Sequence, residues 1–443
     1  MLSKEQGQKV VEQVLAASRA DDVLVTLAAS DTTHLRYARN TPSTSGQQSD
    51  CVLTVQSMFG KKSASATVNQ LDAATIAQVV ERSEQLARLA PENPELMPGL
   101  GAQAYPSVAA YDEGMLESGA TDMVRGTALC IDQARALGLT AAGYSEATAT
   151  ASWIGNARGL SGYHRNTDAS FSQTVRTSDA GGSGWAAGAG NAVSAIDYAR
   201  CSSVSLQKAQ ASKAPRPLAP GKYVTILEPS CVASLMRIFS LSMNARSAEE
   251  GRSYFSAPGG KTKLGRKLFP ESVSIRSDPS SGIAPGAPWG EDVLPQTPRT
   301  WVDRGRLSSL FCERFWAQKH EREAVPPPSN LLMSGGAGSL EDLIADTPKG
   351  VLVTSLFYIR FVDPRTLLLT GLTRDGVFWI EDGKVSHPVT NFRWNESPVR
   401  VLENVDGMTA PVRAPPRDGM NSTIVVPALR VKEFEFSSVS DAV

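Results

Sequence analysis

The chain has 443 residues, 41% apolar and 20% charged, the proportions of an ordinary globular protein, and at roughly 150 residues per domain its length corresponds to about three folding units. Lys+Arg is 44 and Asp+Glu is 45, a net charge of −1, which argues against a broadly basic nucleic-acid face and against an acidic tail. No run approaches the ~20 apolar residues of a membrane helix, Met1 to Gln6 lacks the apolar region of a signal peptide, and the default expectation is a cytoplasmic protein with no membrane partner and no direct nucleic-acid binding.

Ser3 is placed to cap a helix whose Val10, Val11, Val14 and Leu15 share one face. Asp22 to Ala28 reads as a strand, with His34 to Arg39 able to pair with it. Cys51 to Phe59 and Lys61 to Val68 read as a hairpin about Gly60. Asp72 caps a second helix that turns Ile76, Val79, Val80 and Leu86 inward. Pro91 to Pro106 reads as a linker, and these elements form an expected α+β domain over 1–100.

A middle domain is expected over 107–212. It opens with a helix around Ala120 to Leu137, with Met123, Thr127, Cys130, Ala134 and Leu137 on one stripe. A hairpin follows, turning at Asn156 to Gly159. Gly181 to Gly190 reads as a glycine-rich loop and Ala195 to Ala211 as a helix, before the boundary prolines Pro215, Pro217 and Pro220.

The third domain is expected over 221–443. It starts with a strand, Tyr223 to Leu227, and Pro229 opens an amphipathic helix through Val232, Leu235, Met236, Phe239 and Met243. Long loops follow, including Asp278 to Pro298. Val351 to Val362, Val377 to Ile380 (closed by Glu381 to Lys384) and Ser422 to Val426 read as strands. The expected fold class is α+β: an N-terminal α/β unit, a middle helix-plus-antiparallel-strand unit and a C-terminal antiparallel, β-rich, barrel-like domain.

Motif chemistry nominates no active site. The histidines His34, His164, His320 and His387 are at least 67 residues apart (387 − 320), so no pair falls on one helix face as zinc motifs require. Ser161 and Ser183 each lack one glycine of a nucleophile elbow. Gly181 to Gly184 and Gly335 to Gly338 lack the Lys of a phosphate loop and read as flexible loops. Five cysteines at long spacings, without C-x-x-C, read as scattered reduced thiols.

The third unit resembles the TldD/PmbA (TldE) family of peptidase-related proteins, historically called modulators of DNA gyrase. The segments that carry the likeness are Thr225 to Pro229 with its helix, Ser242 to Phe255, Val351 to Arg365 and Thr370 to Lys384, in the family's order. Active members carry H-E-x-x-x-H on that helix and a downstream Cys, which together hold zinc. Here the helix from Cys231 to Ser242 has no His and no Glu, and no Cys follows Cys312.

The resemblance therefore implies the metal-free TldE/PmbA-like branch. It implies no catalytic or metal residues in this chain, and zinc only in a catalytic partner. It implies a TldD-like catalytic subunit, or a second copy of this chain, as partner, and an unfolded peptide as substrate. The alternative is a stand-alone peptide-binding or scaffold homodimer. For peptide binding or subunit contact the candidates are Arg246, Glu250 and Arg252 after the degenerate helix, Tyr358 and Arg360 on a strand able to offer its edge, and Arg374 and Asp375 in a turn. Arg360, Asp363, Arg365, Arg374 and Asp375 together read as a salt-bridge network. The Val351 to Phe361 and Ser242 to Phe255 regions are the expected dimer interface.

Overall fold

A computed structural model describes residues 1–179, 181–419 and 423–440, with 116–118 described as backbone only. In chain order, α1 (Lys4–Ala17) precedes three strands, β1 (Asp22–Ala38), β2 (Thr41–Phe59) and β3 (Lys62–Val68), and then α2 (Ala73–Leu89) and α3 (Met115–Ala136). Three more strands follow, β4 (Thr140–Asn156), β5 (Ser161–Arg176) and β6 (Ser183–Gly190), and then α4 (Tyr198–Ala211).

The C-terminal half begins with β7 (Gly221–Leu227), α5 (Pro229–Leu241), α6 (Ala245–Glu249) and the short ribbon β8 (Ser256–Ala257) and β9 (Lys261–Thr262). Next come β10 (Ile275–Ser277), β11 (Arg299–Asp303), β12 (Arg306–Leu307), α7 (Arg314–Lys319), β13 (Leu331–Met333) and α8 (Leu340–Ala345). A dense strand region then holds β14 (Lys349–Val353), β15 (Leu356–Asp363), β16 (Leu368–Thr373), β17 (Val377–Glu381), β18 (Lys384–Pro388) and β19 (Phe392–Glu396). The chain ends through α9 (Pro398–Glu403), β20 (Val405–Met408), β21 (Val412–Arg413), β22 (Ile424–Val426) and β23 (Leu429–Val439).

Local signals place the first elements. The Ser3 side chain accepts from Gln6 N, and Gln6 reaches back to the Ser3 backbone, a reciprocal capping box. Asp72 accepts from Ala74 N and Thr75 N. In α2, Ile76, Val79, Val80 and Ala87 are buried, whereas Leu86, expected inward, is exposed; Ser83 takes the inward place and bonds Ser57 at 2.6 Å. In α3, Met123, Thr127, Cys130 and Ala134 are buried as expected, but Leu137 is the exposed C-cap residue and Leu139 packs in its stead. His34 to Ala38 is the far end of β1 itself rather than a second strand, because alternation continues through Leu35 and Tyr37, both buried.

The expected 1–100 and 107–212 units contribute three strands each to a single antiparallel sheet, ordered β3-β2-β1-β4-β5-β6 among the described residues. β1 joins them, paired with β4 from Leu24–Asn156 to Tyr37–Gly143. Segment 91–106 has almost no regular structure and lies strapped down, with Gly99 N on Asp22 and Tyr105 Oη on Val293 O. Residues 183–190, expected to belong to a loop, form strand β6, because the glycines there let α4 lie directly on it.

The C-terminal domain is a nine-stranded sheet, β15-β16-β19-β23-β7-β14-β17-β18 with β20 on β23, beside a six-stranded sheet, β12-β11-β10-β13-β22-β21, among the described residues. Neither closes into a barrel. β7 pairs in parallel with β14, and β13 with β22; the other pairings are antiparallel. α5 and α9 pack with the two sheets in one large core that includes Phe239, Phe255, Trp301, Trp394 and Phe434. The expected strand from Val351 to Val362 breaks at Thr354 and Ser355: β14 is interior, β15 is an edge. The turn expected to hold Arg374 and Asp375, Thr373 to Gly376, closes no hairpin. It carries the chain from β16 across the sheet to β17, with Asp375 at φ 56° and Gly376 at φ 120°. The hairpin of this region is β17–β18, turned at Asp382 and Gly383. Gly335 and Gly336, expected to be flexible, press against the backbone of Thr409 and Met408. Ser422, the expected start of β22, lies outside the described residues.

His164 on β5 packs 6.1 Å from Trp289 of the 278–298 loop, and burial lowers its pKa from 6.5 to about 4. Above pH 6.5 the imidazole is neutral in both folded and unfolded chains. Below it the unfolded chain takes up a proton that the folded chain refuses, so stability falls as pH drops from about 6.5 toward 4. At about 1.4 kcal/mol per pH unit the loss reaches ~3 kcal/mol. Urea unfolding at pH 7 and pH 4.5 is expected to show a smaller difference for His164→Gln than for the parent chain; equal differences would exclude this origin.

Candidate functional site

The site is built around α5. Glu228 ends β7 in extended conformation and Pro229 takes the first helical position, where its missing N–H costs nothing. Cys231, Val232, Ala233, Leu235, Met236 and Phe239 are buried against the core. Ser230, Ser234, Arg237 and Ile238, at helical spacing, line two recesses.

The first recess, 260 Å³, lies between β6, α4 and the α5 N-terminus, lined by Trp185, Cys201, Lys208, Glu228, Ser230 and Arg413. The second, 340 Å³, is lined by Ser234, Arg237, Ile238, Tyr358, Arg360 and Asp418. The proline-rich segment 414–418 runs between them: Ala414 and Pro415 line the first, Pro416 and Asp418 the second.

Polar bridges close this cleft between the two halves of the chain. Lys208 Nζ meets Glu228 at 2.7 Å, with the two side chains 12% and 15% exposed. Arg413 donates to Asn191 Oδ1 at 2.6 Å and lies 3.8 Å from Asp168. Burial pushes the Asp168 carboxyl up against the pull of Arg413, and pushes the Arg413 guanidinium down. Desolvation thus dominates both partners, so this pair positions the halves more than it stabilises them. Asp375 accepts from the Ser183 hydroxyl and pairs with Arg417, which also donates to Ser355 Oγ at 3.0 Å and lies over the Trp185 ring.

The candidate residues fall in three places. Arg246 forms a two-bond pair with Glu95 and also holds Glu250, which pairs with Arg252. Beside them Glu249 holds Arg322 and the Trp316 indole. This network fastens the 91–106 strap to the C-terminal domain. Tyr358 and Arg360 line the second recess on the β15 edge, with the Arg360 guanidinium 4.1 Å over the Tyr358 ring. Tyr358, Phe361 and Val362 are more than half exposed, whereas Val351 to Val353 of the expected interface are buried in the sheet. Arg374 stacks on Phe357 at 4.6 Å.

The expected network among Arg360, Asp363, Arg365, Arg374 and Asp375 does not form. Asp363 accepts from Arg365 N and the Thr366 hydroxyl in a turn, and Asp375 turns inward to Ser183 and Arg417. Sequence reasoning missed Ser183, Lys208, Glu228, Arg413 and Arg417. The only hint lay in two arginines set among the prolines of 411–417; their partners are 42 to 245 positions away (417 − 375 and 413 − 168).

The groups in the cleft suit binding. Cys231 is fully buried, and burial drives its thiol far above the usual range, so it is no nucleophile. Ser230 Oγ is buried with no hydrogen-bond partner among the described residues, and no histidine lines either recess. Among the described residues no group of three or more His, Cys, Asp or Glu could hold a metal ion, and no helix is long and apolar enough to cross a membrane.

Residues 220–438 match the model of the PmbA/TldA metallopeptidase C-terminal domain. The whole fold superposes on TldE from Thermococcus kodakarensis with a TM-score of 0.85 at 15% identity, covering 96% of this chain and 99% of that one. A proposed modulator of DNA gyrase from Bacteroides thetaiotaomicron gives 0.85 at 16% identity, covering 99% and 100%, and one from Thermotoga maritima gives 0.82 at 14%, covering 97% and 99%. No curated protein matches the chain. Residues 220–438 thus form a C-terminal domain of the PmbA/TldA metallopeptidase family, on a chain whose whole fold is that of TldE and the two gyrase-modulator proteins.

Proposed function

We propose that the chain is the non-catalytic, TldE-like subunit of a two-component peptidase, partnering a zinc-bearing TldD-like subunit that cleaves unfolded peptides. The observation that carries this reading is α5. The helix keeps the family's position and entry but offers the cleft Ser230, Ser234, Arg237 and Ile238, where zinc hydrolysis needs three metal ligands and a carboxylate base. The likeness in fold to a protein named TldE supports it. The retained cleft serves as a wall of a shared chamber, and the β15 edge offers backbone groups to an extended chain.

The test incubates an unfolded polypeptide with this chain, with an H-E-x-x-x-H paralogue from the same genome, and with both. Chelator-sensitive cleavage should appear, or rise strongly, only in the mixture. Chelator-sensitive cleavage by this chain alone would overturn the proposal. Elemental analysis of the dialysed chain alone is expected to find well under one zinc per chain; a stoichiometric content would also overturn it.

A second reading is a stand-alone peptide-binding homodimer. It is favoured by the exposed Tyr358, Phe361 and Val362 on an edge strand. An unchanged rate in the mixture, with a dimer by light scattering, would select it.

A further inference from the structure

The largest cavity described, 490 Å³, shares no residue with the α5 cleft. It lies where β1 and β2 of the N-terminal sheet meet the 91–106 strap, the 278–298 loop and the start of α7. Its volume is that of a small-ligand site. Leu24, Met58, Met97, Phe311 and Phe315 give it an apolar lining.

Two charged side chains on that lining are set apart from the surrounding ion pairs. Asp292 accepts only from Leu294 N at 3.4 Å among the described hydrogen bonds, and burial pushes its carboxyl up. Arg314 donates to Pro98 O, and burial pushes its guanidinium down. Each feels the other's charge, yet among the described residues neither forms an ion pair within 4 Å. The other lining carboxylates differ. Asp22 is held by Arg158 and Glu95 by Arg246, Glu313 accepts from Asn244 Nδ2 at 2.6 Å, and Glu291 is exposed. A half-buried carboxylate and a half-buried guanidinium that line one cavity without pairing to each other leave both charges available to the two opposite charges of one ligand.

The wall also stores strain. Val293 sits at φ 55°, a conformation unfavourable for a β-branched residue. It is held there by Val293 N on Gly290 O and by the Tyr105 hydroxyl on Val293 O. This fixes the residue next to Asp292 against the lining.

We propose that this cavity binds a small zwitterion with an apolar side chain, a free amino acid or a di- or tripeptide. Asp292 receives the ammonium, Arg314 receives the carboxylate, and the Met58 and Phe311 surface takes the side chain. A guanidinium suits a planar carboxylate. The site stands independently of the peptidase reading, since it uses no residue of the α5 cleft.

The probe is leucyl-phenylalanine, titrated calorimetrically against the intact chain alongside its N-acetyl, C-amide and doubly blocked forms. The free dipeptide is expected to bind at least tenfold more tightly than each singly blocked form, and the doubly blocked form weakest. Asp292→Asn should remove the penalty for acetylation only, and Arg314→Met the penalty for amidation only; circular dichroism of each variant verifies its fold. Because the four ligands are compared on the unaltered chain, the test does not depend on the variants folding. Equal affinity across the four forms, or no binding of the free dipeptide at millimolar concentration, would overturn the proposal.

Discussion

Asp375→Asn is expected to lower the stability of the chain by about 3 kcal/mol, the cost of leaving one charge of a buried pair without its partner. The Asp375 and Arg417 side chains are 2% and 14% exposed, so water does not replace the lost counter-charge. Asparagine is the informative substitute. It accepts the positive φ of 56° at this position, which alanine would strain against, so the change isolates the charge. Thermal unfolding should show a Tm lower by on the order of 5–10 °C. The double variant Asp375→Asn/Arg417→Met should lose less than the sum of the single losses, because neither partner is then stranded. A shift below about 1 °C in the single variant would mean that the segment 414–418 is not fastened through this pair. The same variant reports on function: with Arg417 released, the segment between the two recesses loses its anchor, and any partner-dependent cleavage should change with it.

The second large effect is expected at Gly184. A Cβ there would stand 2.1 Å from Ser205 O and 2.5 Å from Ala209 N, both backbone atoms of α4 that cannot swing aside. Gly184→Ala must therefore push helix and strand apart, at about 1–3 kcal/mol. Gly181→Ala, three residues earlier, meets only the Asp179 side chain at 3.5 Å or more and should be close to neutral. Urea unfolding of the two variants separates a packed strand from the loop expected from glycine content alone. Equal, small effects would favour the loop.

Those two positions mark the division between local and long-range information in this chain. Ser3, Asp72 and Pro229 announced their helices because a cap is a contact across two or three residues, and it works in any fold. Gly60 and Asp382–Gly383 announced their turns because a positive φ is a property of the residue itself. The family likeness was readable for a related reason: its segments keep their order, and the helix after Leu227-Glu228-Pro229 visibly lacks histidine and glutamate. By itself, then, the sequence determined most element types, the α+β class and a helix after Pro229 that carries no histidine or glutamate.

Tertiary structure alone decided the rest. The pairing of β1 with β4 merges two apparent units into one sheet, yet it joins strands more than a hundred residues apart, and no local preference encodes that partner. The apolar run from Val351 to Val362 gave one strand by composition; it became an interior strand and an exposed edge because only its first part lies between β7 and β17. Alanines and glycines of β6 read as a loop until α4 was laid against them, since small residues serve close packing as well as flexibility. Asp375 read as one charge among five in a salt-bridge network, and its partner proved to be Arg417, brought to it by the fold. Composition cannot assign a charge its partner, because pairing depends on which groups are desolvated together, and that is fixed only when the sheets and helices pack.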